Sequence, residues 1–138
     1  PLIFASCEEE EDPVKGCTDS QATNYNPNAQ ENDGSCTYIL TGQWNATEFI
    51  QDGLNYLAGS NTAGIEILVD GTYTLGVTSG GQTSWYDGTW AFSNTTFTTY
   101  PSTGGTDVFN VTTFNGSQLH LTGVSSDEWT SSSLKFNR

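Results

Sequence analysis

Positive charge is the scarcest property of this chain. Three Lys and Arg stand against sixteen Asp and Glu in 138 residues, a formal net charge of −13. Such a surface repels phosphate backbones, so nucleic acid is excluded as a partner. Methionine is absent, and no run approaches the ~18 apolar residues of a membrane-spanning helix. Histidine occurs once, at His120, alternating with Leu119 and Leu121 and so on the solvent side of a strand. No Ser, His and Asp grouping and no zinc spacing is present. Glu66, Asp87 and Asp127-Glu128 fall in turns or on polar parities, so the sequence singles out no pair for acid–base work while leaving paired carboxylates open. The chain reads as a non-enzyme with no cofactor. Cysteine is confined to Cys7, Cys17 and Cys36, all in the first quarter.

What is abundant is Gly, Ser, Thr and Asn, which favours short strands and turns over long helices. The length suits one ordinary domain plus a tail. Residues 1–36 carry eight acids and one Lys, whereas residues 37–138 carry eight acids and two basic residues, so the charge concentrates in the tail.

The apolar start Pro1-Leu2-Ile3-Phe4-Ala5 has no initiator Met and reads as the end of a longer leader. Phe4-Ala5-Ser6-Cys7 resembles the lipobox of bacterial lipoproteins, with Phe4 in place of the usual Leu. That resemblance implies cleavage before Cys7 and acylation of its thiol, with the acyl chains holding the protein on the outer membrane. Glu8 to Asp12 resemble the acidic tags that send some lipoproteins of Gram-negative bacteria to the cell exterior. Residues 1–6 are then a signal-peptide remnant and residues 7–15 an acidic tether.

Residues 16–36, "GCTDSQATNYNPNAQENDGSC", resemble a short Cys-flanked module found in exported proteins of the same bacteria. The resemblance implies a Cys17–Cys36 disulfide, and closing a loop of this size would contribute roughly 3 kcal/mol. Asp19 and Asp33 are the calcium candidates, since calcium takes hard oxygen ligands. Asp and Asn equally build plain turns, and a disulfide-stapled spacer without metal is the preferred reading.

From residue 37 onward the pattern becomes short alternating runs. "IEILVDGTYTLGV" places Ile65, Ile67 and Val69 on one parity, then Asp70-Gly71, then Tyr73, Leu75 and Val77, a hairpin pattern. "DVFNVTTF", Asn115-Gly116 and "SQLHLTGV" repeat it. A connection at 50–64 offers a short helix through Phe49, Ile50, Leu54 and Leu57. Eight strands in about a hundred residues predict an all-β fold: an eight-stranded antiparallel up-and-down barrel, with a β-sandwich as the alternative.

"LTGQW" and the later "GTW" resemble the Gly-x-Trp signature of the lipocalins and the lipocalin-like domains of bacterial surface lipoproteins. The likeness spans Tyr38 to Arg138. It implies that Trp44 closes one end of the barrel beneath a basic side chain of the last strand, and parity with Leu134 and Phe136 nominates Arg138. A barrel of this size either fills with side chains or holds one small ligand. Tyr73, Trp85, Trp90, Phe92 and Phe109 are the expected ligand-binding residues. Two functions follow: a cell-surface lipoprotein binding a small apolar or amphipathic ligand, or a filled barrel serving as a structural or interaction module.

Overall fold

The computed structural model describes residues 11–93, 95–126 and 129–138. The chain divides into two compact units, Pro1–Thr37 and Tyr38–Arg138. Cys7 and the acids to Glu10 lie outside the described residues, as do Asp127 and Glu128.

In the first unit, β1 (Lys15–Gly16) and β2 (Glu31–Asn32) form a short parallel pair. Cys17 is buried and bonded to Cys36. The side-chain oxygens here serve the backbone. Asp19 Oδ1 accepts from the Gln21 amide, Asp33 Oδ1 from Ser35 and Asn32 Oδ1 from Gly34. Asn24 donates to the Ser35 carbonyl and accepts from the Thr37 amide, at 2.7 and 2.9 Å. Such local bonds hold a loop that has no periodic apolar face. Among the described residues, no cluster of three or more His, Cys, Asp or Glu is arranged to hold a metal ion.

The second unit is a closed antiparallel barrel. Its long strands are β3 (Gly42–Gln51), β5 (Thr62–Ile67), β6 (Thr72–Ser79), β7 (Gln82–Ser93), β8 (Thr96–Pro101), β9 (Asp107–Phe114), β10 (Gln118–Ser126) and β11 (Trp129–Asn137). Each pairs with its neighbour in the chain, and β11 pairs back onto β3. That last pairing removes the two open edges a sandwich would leave, and the fold is the eight-stranded barrel. Tight turns connect the strands. Asp70 Oδ1 accepts from the amide and hydroxyl of Thr72, and Asn115 Oδ1 accepts from the amides of Ser117 and Gln118.

Two sequence expectations are corrected. Residues 49–57 form no helix: Phe49 and Ile50 continue β3, Asp52 and Gly53 turn with φ of 48° and 81°, and β4 (Leu54–Asn55) folds back on β3. Val69 does not continue the inward row of β5. The strand ends at Ile67 and Val69 sits in the turn, 89% exposed.

Inward residues alternate along each strand, as a barrel requires. Leu40, Trp44, Ile65, Ile67, Tyr73, Phe97, Phe109, Leu119, Leu121, Leu134 and Phe136 form the core. Two bulges shift this alternation. Opposite Lys135/Phe136 the register of β3 skips Thr47, so Trp44 and Ala46 point inward before it and Phe49 after it. Opposite His120/Leu121 the register of β9 skips Thr112, so Phe109 and Val111 give way to Phe114. Each skipped threonine gives its hydroxyl proton to the facing carbonyl, Thr47 to Lys135 and Thr112 to His120, both at 3.2 Å.

Candidate ligand cavity and closed barrel end

One end of the barrel is solid. Trp44 is 1% exposed, and its indole N–H donates to the Leu40 carbonyl at 2.7 Å. The Arg138 guanidinium lies over the ring, 4.2 Å from its centroid. Arg138 also donates to the carbonyls of Ile39, Thr41 and Gly116. The single side chain thus ties the segment before β3 to the turn before β10. Burial pulls the Arg138 pKa below its ordinary value, yet the ring face and three carbonyls offer the cation partial negative charge. Phe114 packs between the rings of Trp44 and Phe92, with centroids 6.3 and 5.1 Å away. Trp90 is half-buried and donates to the Leu68 carbonyl at 3.2 Å.

The other half of the barrel is hollow. A cavity of ≈ 400 Å³ lies among Phe49, Tyr56, Leu75, Val77, Tyr86, Phe97, Phe109, Leu121 and Phe136, with Tyr73, Thr99 and Asp107 on one wall. Its walls come from the inward rows of successive strands, and the bulge in β3 turns Phe49 into it. The volume falls within the roughly 300–1,000 Å³ typical of small-molecule sites. Tyr73, Thr99 and Asp107 lie together, and Gln51 and Thr103 also line the space. Thr99 is buried and donates its hydroxyl to Asp107 Oδ2 at 3.3 Å. Tyr73 is buried beside Thr99, and burial first, with the Asp107 charge adding to it, raises the phenol pKa above 10.0.

The expected ligand residues therefore separate into three groups. Tyr73 and Phe109 line the cavity. Trp90 and Phe92 point inward but pack into the solid end. Trp85 is on the outside of the barrel, 70% exposed and laid across Gly76, where an added Cβ would sit 2.8 Å from the ring. The reason is parity: Tyr86, Trp90 and Phe92 face in from β7, so Trp85 faces out. Sequence reasoning missed Tyr86, Thr99 and Asp107. Shared parity with Trp90, Phe97 and Phe109 respectively was the signal that identifies them. His120 lies on the outer face, paired across with Thr113 and Lys135.

A family model described as the lipocalin-like domain matches residues 40–121. The chain belongs to the lipocalin-like domain family. The match begins at buried Leu40 and takes in Trp44, the cavity strands β5 to β9 and Leu121. The closed barrel, the Trp–Arg cap and the hollow half are thus how this lipocalin-like domain is built. No curated protein and no solved structure matches the chain.

Proposed function

We propose that the protein is an exported lipoprotein whose lipocalin-like barrel binds one small apolar or amphipathic molecule, without catalysis. The observation that carries the reading is the ≈ 400 Å³ cavity with mostly apolar walls and a few polar groups among them. A passive, filled barrel needs no such space, since side chains as large as those at the Trp44 end can occupy a lumen of this size. Burying a ligand's apolar surface contributes about 25 cal/mol per Å², and these polar groups would orient it.

The test is mass spectrometry of small molecules that co-purify with the native protein, compared with a Val77→Trp variant. Val77 lines the cavity near the Gly80-Gly81 turn, and an indole there obstructs the space. A compound retained by the native protein and lost from a folded variant supports the reading; the same recovery from both overturns it. The anchoring part rests on Phe4-Ala5-Ser6-Cys7 and the acids after it. Cys7→Ser should release the protein from the outer-membrane fraction, and continued membrane association would sink that part.

A further inference from the structure

We propose that the outer face of the barrel carries a second site, a groove that binds neutral oligosaccharides against Trp85. It lies on the opposite side of the sheet from the ligand cavity and does not depend on it.

The groove follows from strand register. Asn45 pairs with Gly64, Gly64 with Gly76 and Gly76 with Trp85, a single row across β3, β5, β6 and β7. All four face outward, because Trp44, Ile65, Leu75 and Tyr86 beside them in the chain face in. The two glycines supply no side chain, so the middle of the row is a depression between Asn45 and Trp85. The rows on either side are polar. Gln43, Glu66, Thr74 and Asp87 form one, and Thr62, Thr78 and Thr83 form the other. The open space they border measures ≈ 340 Å³ and is lined from all three rows. Three strand spacings separate Asn45 from Trp85, about 14 Å, which suits a short oligosaccharide better than one sugar ring.

Trp85 decides the chemistry. Its six-membered ring covers Gly76, which accounts for one side of the indole, yet the residue is 70% exposed. A single exposed ring needs no explanation by itself. What distinguishes Trp85 is its place at the end of a groove walled by amides, hydroxyls and a carboxylate. A pyranose complements both parts. The C–H bonds of its ring face carry partial positive charge and stack on the negative indole face, while its hydroxyls donate and accept around the rim. Gln43 and Asn45 offer amide donors and acceptors, Glu66 accepts, and the threonines do either. An apolar ligand would cover these groups without pairing them, at a cost. No Lys, Arg or His lines the groove to receive an anion. An extended peptide adds to an unpaired strand edge, and these four strands are paired on both sides.

The probes are cellotetraose, laminaritetraose, maltotetraose and mannotetraose, with tetragalacturonate as the anionic counterpart. In NMR titrations at least one neutral tetrasaccharide should shift the Trp85 indole N–H and the Asn45 side-chain amide together. Trp85→Ala should weaken that binding about 10-fold or more, since the stacking contact and its buried area are lost together. Trp85→Phe should recover part of the loss. Asn45→Ala should weaken it about 2- to 10-fold, the range for a hydrogen bond. The Trp85 and Asn45 side chains are exposed, so these variants should stay folded, which their melts verify. Sugar binding that survives Trp85→Ala would overturn the proposal, as would tetragalacturonate binding as tightly as the neutral sugars. Binding of none of the four neutral tetrasaccharides would also overturn it, leaving the inner cavity reading intact.

Discussion

Trp44→Ala removes the side chain on which closure of the barrel most depends. The indole is 1% exposed, touches Phe114 and Arg138, and satisfies the buried Leu40 carbonyl. Loss of a large aromatic from a core costs roughly 3–5 kcal/mol, and the carbonyl left without its donor adds to this. That is a large share of the roughly 5–15 kcal/mol holding an ordinary domain folded. Arg138→Ala should cost less, since the carbonyls of Ile39, Thr41 and Gly116 can turn to water in its place. The double mutant should show a coupling of roughly 0.5–2 kcal/mol, the range of a cation over a ring face. Trp85→Ala is the control: the ring is 70% exposed on the outer face, and about 1 kcal/mol or less is expected. Urea melts of the three single variants and the double variant, followed by far-UV circular dichroism, measure all four values. Equal losses at Trp44 and Trp85, with no coupling to Arg138, would refute the closed-end packing.

Gly88→Ala should destabilise by roughly 1–3 kcal/mol, because the new methyl would collide with the Tyr100 carbonyl oxygen and neither backbone can give way cheaply; a melt unchanged from the native protein would contradict this. Ser132→Ala should be neutral or stabilising, since the buried Ser132 hydroxyl has no hydrogen-bond partner among the described residues. The Glu48 carboxyl sits below its ordinary 4.5 through its hydrogen bonds from Ser133 and then Lys135. Its contribution is therefore complete above that ordinary value and lost as pH falls through the lower folded one. Melting temperatures from pH 7 down to pH 3 should fall less steeply in Glu48→Gln than in the native protein. A chelator should leave the melting temperature unchanged, whereas reduction of Cys17–Cys36 should speed amide exchange at Asn26 and Thr37; a chelator-induced loss of stability would restore a calcium role for Asp19 and Asp33.

Much of this architecture is legible in one dimension, because a strand's faces alternate with period two whatever lies beside it. Ile65 and Ile67, Tyr73 and Leu75, Leu119 and Leu121, and Leu134 and Phe136 announce their inward rows, and Asp70-Gly71 and Asn115-Gly116 announce the turns. The Gly-x-Trp segment singled out Trp44, and strand parity singled out Arg138. What alternation cannot carry is a change of phase. The bulges at Thr47 and Thr112 depend on which residues the partner strand presents, so Phe49 looked like part of a helix and Phe114 was not assigned to the core. Closure was likewise undecided, since only the β11–β3 pairing distinguishes a barrel from a sandwich. Whether the lumen is full depends on how rings from different strands share space. Trp90 and Phe92 interlock with Phe97 and Phe114, while Tyr73 and Phe109 leave a void between them. Asp107 shows the limit most clearly: its inward parity was readable, but its place beside Thr99 and Tyr73 depends on three strands meeting, which is a property of the fold.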